Sequence, residues 1–260
     1  MNEELIIQEI KNKLNEIEQK ENVTILFAVE SGSRAWGFAS PDSDFDVRFV
    51  YKRNDISDYL KLEGIRDVIE WELNDVYDIS GWDLDKTLKL VHASNPVIFE
   101  WADSPIIYKE TPFLNEFRKF IKSYFMTIKG AHHYLHMAQR NYEMYLCDDQ
   151  VKIKKYFYVL RPILAVKYVL HNKTNPPMLF EELVRAELDD EVREEVNKLL
   201  EAKKNTSELG LSEKIQILNT YIEKELKLLE NEVDSLNKED CDWNELNAFF
   251  IRTLYEQQSD

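Results

Sequence analysis

Ser31-Gly32-Ser33-Arg34-Ala35-Trp36-Gly37-Phe38-Ala39-Ser40-Pro41-Asp42-Ser43-Asp44-Phe45-Asp46-Val47-Arg48 is the segment around which the remainder of the chain arranges itself. The run before it, Val23-Thr24-Ile25-Leu26-Phe27-Ala28-Val29, is short, apolar and rich in β-branched residues, as a buried strand is. Gly32 permits a sharp exit from that strand, and Ser33 is placed to open a short helix through Gly37-Phe38. A turn at Ser40-Pro41-Asp42-Ser43 returns the chain to a second strand, Phe45 to Val50. Residues i and i+2 of a strand share a face about 6.6 Å apart. Asp44 and Asp46 therefore project side by side, with oxygen ligands suited to hard divalent cations. Backbone N–H groups around Gly32 and Ser33 offer a phosphate a docking place nearby. Carboxylates for metal beside amides for phosphate suit nucleotidyl transfer.

Aspartate is disfavoured in strands, and Asp46 stands among Phe45, Val47 and Phe49, where an unpaired charge is costly. A bound cation removes that conflict. A two-metal site wants a third carboxylate on a neighbouring strand. Tyr77-Asp78-Ile79 again sets an acid inside an apolar strand, which makes Asp78 the leading choice, with Glu70 and Glu72 on the preceding strand as alternatives.

Gly32-Ser33 followed by Asp44-Phe45-Asp46 resembles the signature of the DNA polymerase β-like nucleotidyltransferase superfamily. The wider segment Ser31 to Arg48 resembles the predicted nucleotidyltransferases of the YcgL-like group, also called RlaP and linked by name to RNA repair. The likeness continues at Gly81-Trp82-Asp83-Leu84, Ser94-Asn95-Pro96, Glu100-Trp101, Ser104-Pro105-Ile106-Ile107-Tyr108 and Tyr158-Val159-Leu160-Arg161-Pro162, and covers the last third weakly. It implies a Mg²⁺- or Mn²⁺-dependent enzyme that uses a nucleoside triphosphate. Asp44, Asp46 and Asp78 are then the metal-holding catalytic acids, and Gly32, Ser33 and Arg34 the phosphate-side residues.

The 260 residues carry a formal net charge of −16. So acidic a chain does not coat long double-stranded nucleic acid, which requires many phosphates to be neutralised. Yet residues 150–180 contain no Asp or Glu and carry Lys152, Lys154, Lys155, Arg161, Lys167 and Lys173. Residues 117–142 are likewise free of acids and hold Arg118, Lys119, Lys122, Lys129 and Arg140. Such local basicity fits a phosphate-facing cleft. Lys154, Tyr158 and Arg161 share one helical face and are the nucleotide-facing candidates there; an exposed flank of a core helix is the competing reading. Trp36 is placed either to stack on a base or to enter the core.

His132 and His136 have the i, i+4 spacing of zinc ligands on a helix, but no acid follows His132 and no third ligand is evident, so packing or phosphate contact is the expectation for them and for His133. Cys147 and Cys241 make neither a metal spacing nor a disulfide framework, the opening residues are acidic, and no apolar run is long enough to span a bilayer. A reducing cytoplasm is the expected location.

The predicted architecture is α+β. A small mixed sheet with helices on one side forms a nucleotidyltransferase domain over residues 1–110, and an α-helical domain with basic nucleotide-facing helices follows over residues 111–260. Ile6, Ile7, Ile10, Leu14 and Ile17 predict an amphipathic first helix, Asp83 a cap for a helix from Leu84, and Thr111-Pro112 the start of another. Pro162 predicts a kink or a new helix start. The acceptor stays open between an RNA end, a protein hydroxyl and a small molecule. A catalytically silent nucleotide-binding or antitoxin-like partner protein is the alternative of a different class; the intact Ser33, Asp44 and Asp46 weigh toward an enzyme.

Overall fold

Ile6, Ile10, Leu14 and Ile17 recur at helical spacing and fall on the buried side of α1 (Glu3–Glu21), in a computed structural model that describes residues 3–41, 43–205 and 211–256. They cover one face of a five-stranded mixed sheet in the order β3-β4-β2-β1-β5, built from β1 (Val23–Glu30), β2 (Phe45–Arg53), β3 (Val68–Leu73), β4 (Tyr77–Asp83) and β5 (Ile107–Lys109). β1 runs antiparallel to β2 and β5, β3 antiparallel to β4, and β2 parallel to β4. Alternation along β2 sends Phe45, Val47, Phe49 and Tyr51 toward α1, while Asp46, Arg48 and Val50 take the opposite face.

That opposite face is covered too. α3 (Leu84–His92), α4 (Pro96–Ala102), α5 (Pro112–Ile121) and α11 (Asn244–Tyr255) pack on it through Leu84, Phe99, Phe117 and Phe249. The expectation of helices on one side is therefore corrected. The reason lies in β1, where Val23 and residues 25–29 are all buried and a bulge at Leu26 presents apolar residues to both faces. This second core also runs across the division expected at residue 110, since α5 packs against β1 through Phe113 and Phe117 on Phe27, and α11 packs on α5 through Phe249.

A third core joins α6 (Thr127–Tyr145), α7 (Lys155–Asn172), α8 (Phe180–Glu187), α9 (Asp190–Asn205) and α10 (Gln216–Asp234). A two-stranded ribbon of β6 (Gln150–Lys152) and β7 (Leu211–Glu213) lies at its side. α7 is the buried axis of this part, which explains its lack of acids. Pro162 does not divide α7. Its missing N–H leaves the Tyr158 carbonyl without its helical donor, and Asn141 Nδ2 of α6 donates to that oxygen at 2.8 Å. Asp83 caps α3 as expected, accepting from the Asp85 N–H. Thr111 does not cap α5; its hydroxyl donates to the Leu26 carbonyl at 2.6 Å and ties the helix start to β1.

Candidate active site

The exit from β1 is a single helical turn, α2 (Gly32–Ala35), preceded by Ser31, whose N–H donates to the Asp46 carbonyl at 2.8 Å. Gly32 has φ +60°, and a Cβ there would stand 2.0 Å from Asp46 Oδ2. Only glycine brings the turn this close to the carboxylate. The Ser31 side chain makes no capping bond to the turn's amides. Ser33, Ser40 and Ser43 share hydrogen bonds of 3.0–3.2 Å that close the loop between the turn and β2.

Arg34 is a staple of that loop. It donates to the carbonyls of Ser43 (2.7 Å) and Asp44 (3.0 Å) and stacks its guanidinium 3.7 Å over the Phe45 ring. Its contacts fix the backbone at Asp44 and leave its charge beside the loop. Asp44 itself is exposed at the mouth of β2.

The parallel register sets Asp46 directly beside Asp78. Between them lies Arg48. Its Nη2 donates to Asp46 Oδ1 at 3.2 Å and Asp78 Oδ2 at 2.6 Å, while Nη1 donates to the carbonyls of Val47 (3.1 Å) and Asp78 (2.7 Å). Burial pushes the Asp46 carboxyl up to about 6; Arg48 opposes the shift, and the charges of Asp44 and Asp78 add to it. On the α1 side, the fully buried Glu30 accepts the Asp46 N–H at 2.7 Å and a hydrogen bond from the Tyr108 hydroxyl. Burial raises Glu30 to about 7, against the hydrogen bond from Tyr108. Glu30 thus fixes the backbone from which Asp46 projects.

The alternatives for a third acid part company at a bulge. Glu70 pairs across from Ser80 and Glu72 from Ile79, so the residue inserted at Trp71 turns the two glutamates to different faces. Glu72 goes to Lys13 on the α1 side at 2.7 Å. Glu70 stays on the face of Arg48, and a cleft of about 500 Å³ at this strand edge is lined by Glu70, Glu72, Trp71, Arg48, Asp78 and Ser80. Among the described residues no three His, Cys, Asp or Glu side chains stand closely enough to hold one metal ion as they are disposed.

Of the α7 candidates, Tyr158 comes to the site: its hydroxyl is held above its ordinary range by burial and by the charges of Asp46 and Asp44. Lys155 lies over its ring at 4.6 Å, and Lys154 is exposed at the helix start. Arg161 departs from the expectation of a phosphate-facing cation. It is 2% exposed, pairs with Glu100 Oε1 at 3.0 Å and lies 4.6 Å beneath the Trp36 ring. Tyr134 donates to the same Glu100 oxygen at 2.6 Å. Trp36 is accordingly a packing residue, and Phe38, two positions on, stacks on Phe157 and meets Phe180 edge to face, which plugs the loop following the turn into the helical core. His132 and His136 stack on α6 with ring centroids 5.9 Å apart.

Glu30, Arg48 and Lys155 were not among the sequence-derived site residues. Arg48 carried a signal, being two positions from Asp46 and so on its face of β2; Glu30 carried one as an acid closing an apolar strand.

The sequence profile of the RNA repair pathway DNA polymerase beta family, RlaP, matches residues 6–252. The uncharacterized protein YcgL of Bacillus subtilis (strain 168) is 43% identical over 256 residues, which span 97% of this chain and 98% of that protein. A crystal structure of a nucleotidyltransferase-like protein from Exiguobacterium sibiricum 255-15 aligns over 88% of this chain and 75% of its own at 16% identity, with a TM-score of 0.32. The chain belongs to the RlaP family, and with it to the polymerase β-like nucleotidyltransferases.

Proposed function

We propose that this chain moves a nucleoside monophosphate from an NTP to an acceptor hydroxyl, with release of pyrophosphate, at Asp44, Asp46 and Asp78. The observation that carries this reading is the parallel pairing that sets Asp46 beside Asp78, with the Gly32 turn against Asp46. The donor set fits Mg²⁺ or Mn²⁺. It consists of carboxylate oxygens, and the burial that raises Asp46 is relieved by a neighbouring cation. When bound, the ion supplies charge neutralisation for the triphosphate and polarises its phosphorus.

The chain's own part is orientation. Gly32 and Ser33 present amides to the outer phosphates, Arg34 holds the loop and thereby Asp44, and Glu30 fixes the Asp46 backbone. Tyr158 and Lys154 form the helical wall of the nucleotide site; Arg161 acts behind that wall through Trp36. A carboxylate oxygen of Asp78, set beside Asp46 by the parallel register, takes the proton of the acceptor hydroxyl as that hydroxyl's oxygen attacks the α-phosphorus and the bond to pyrophosphate breaks.

The family's association with an RNA repair pathway favours an RNA end as acceptor. The net charge of −16 keeps that acceptor short. Incubation with each α-labelled NTP, Mg²⁺ and cell extract tests the reading: label should enter RNA, and transfer should fall as salt rises. Asp46→Asn should abolish transfer while the circular dichroism spectrum is kept; retained transfer by that variant overturns the assignment. A silent nucleotide-binding partner is the second reading, favoured by the guanidinium that stands between Asp46 and Asp78. NTP binding without label in any product supports it.

A further inference from the structure

Arg48 and Glu70 stand in one cross-strand row. Arg48 pairs with Ser80 on β4, and Ser80 pairs with Glu70 on β3, so all three rise from the same face of the sheet. The next row holds Asp46 and Asp78. Adjacent strands lie about 4.8 Å apart, so Arg48 and Glu70 are separated by about 10 Å of backbone, which the two side chains together can span. The cleft of about 500 Å³ that both residues line leaves the path between them open.

We infer that Arg48 is the resident counter-cation of the acid pair and exchanges with the divalent ion, its guanidinium passing from Asp46 and Asp78 to Glu70. The inference rests on the proposed metal at Asp46 and Asp78. Nη2 spends its two N–H groups on the carboxylate oxygens a metal would take, so guanidinium and metal exclude each other there. Without a cation, two carboxylates side by side on a half-buried face repel, and Arg48 is the positive group on hand. A divalent ion brings twice the charge but leaves Arg48 with Nη1 on two backbone carbonyls and Nη2 without a carboxylate. Glu70 is the acid of the same row and is exposed, free to meet it. Arg48 is in this sense a positioning residue: it keeps Asp46 and Asp78 together before substrate arrives and sets the metal concentration at which the site loads.

Mn²⁺ binding followed by electron paramagnetic resonance separates this from a structural role. Arg48→Met should bind Mn²⁺ at least tenfold more tightly than the parent, and its thermal midpoint should rise more on adding the ion. Glu70→Gln should weaken binding about threefold in the parent background and change nothing in Arg48→Met. Should Arg48→Met not fold, Arg48→Lys keeps the charge without the second pair of bonds and should still bind more tightly than the parent. Weaker or equal Mn²⁺ binding by the Arg48 variants, or an equal Glu70→Gln effect in both backgrounds, overturns the exchange and leaves the proposed activity standing. No Mn²⁺ binding by parent or variants overturns the exchange and the metal reading together.

Discussion

At Gly32 the backbone takes φ +60° and lies against Asp46, so any side chain there is both strained and in collision. Gly32→Ala is expected to cost about 1–3 kcal/mol of stability and to abolish NTP binding, checked by thermal unfolding and by nucleotide titration. That Asp46 and Asp78 stand on strands was legible because an acid inside an apolar strand is a contradiction that a cation would resolve; Asp44 lies just before its strand and carried no such signal. Arg161 was not legible: a lone Arg on an acid-free helix serves a phosphate and a distant buried acid equally well. Its partner Glu100 lies 61 residues away in sequence. Nor did the alternation of Glu70-Trp71-Glu72 reveal the bulge that parts the two glutamates, since a bulge is set by pairing with β4 and not by the strand's own residues.

Among the elements, α7 depends on a neighbour for its continuity. Asn141→Ala removes the donor that meets the Tyr158 carbonyl and is expected to cost about 1–2 kcal/mol. The cost should shrink in Pro162→Ala, where the restored N–H serves the same oxygen; chemical denaturation of the four proteins measures the coupling. Pattern reading placed α1, the strand pairs and α3 because each carries its own periodicity or cap. It could not see that Pro162 stays inside one helix, because the compensating amide belongs to α6. α3 carries a pH signature. Its cap Asp83 is almost fully buried and pushed up to about 6 from 3.8, chiefly by burial, with Arg53 and the Tyr59 hydroxyl opposing. The folded state therefore holds this proton more tightly than the unfolded chain. The stability it gives is complete below about pH 4 and is lost as pH rises through about 6, on the order of 2–3 kcal/mol. Asp83→Asn keeps a capping oxygen and should flatten that part of the thermal midpoint against pH.

For the molecule as a whole, the link between the helical core and the sheet passes through Arg161, Glu100 and Tyr134 under Trp36. Arg161→Met leaves Glu100 buried without its cation and is expected to cost about 3–5 kcal/mol. Adding Glu100→Gln should recover most of it, and the double variant should bind NTP as the parent does, measured by fluorescence titration. The mixed sheet followed by helices was readable from segment order. The shared core was not, because Phe113 and Phe117 meet Phe27 of β1, and Phe249 meets those two rings, only through tertiary packing. That long-range closure has a temporal side. The buried ammonium of Lys52, on the strand that bears Asp46 and Arg48, is satisfied by the carbonyls of Thr253 and Glu256 at 2.7 and 2.8 Å. A ribosome must therefore add some 200 further residues before Lys52 finds its acceptors. Until then the Lys52 ammonium is held by water and the face that α11 will cover stays open, so the nascent chain holds its acids on an unfinished scaffold, exposed to chaperones and proteases.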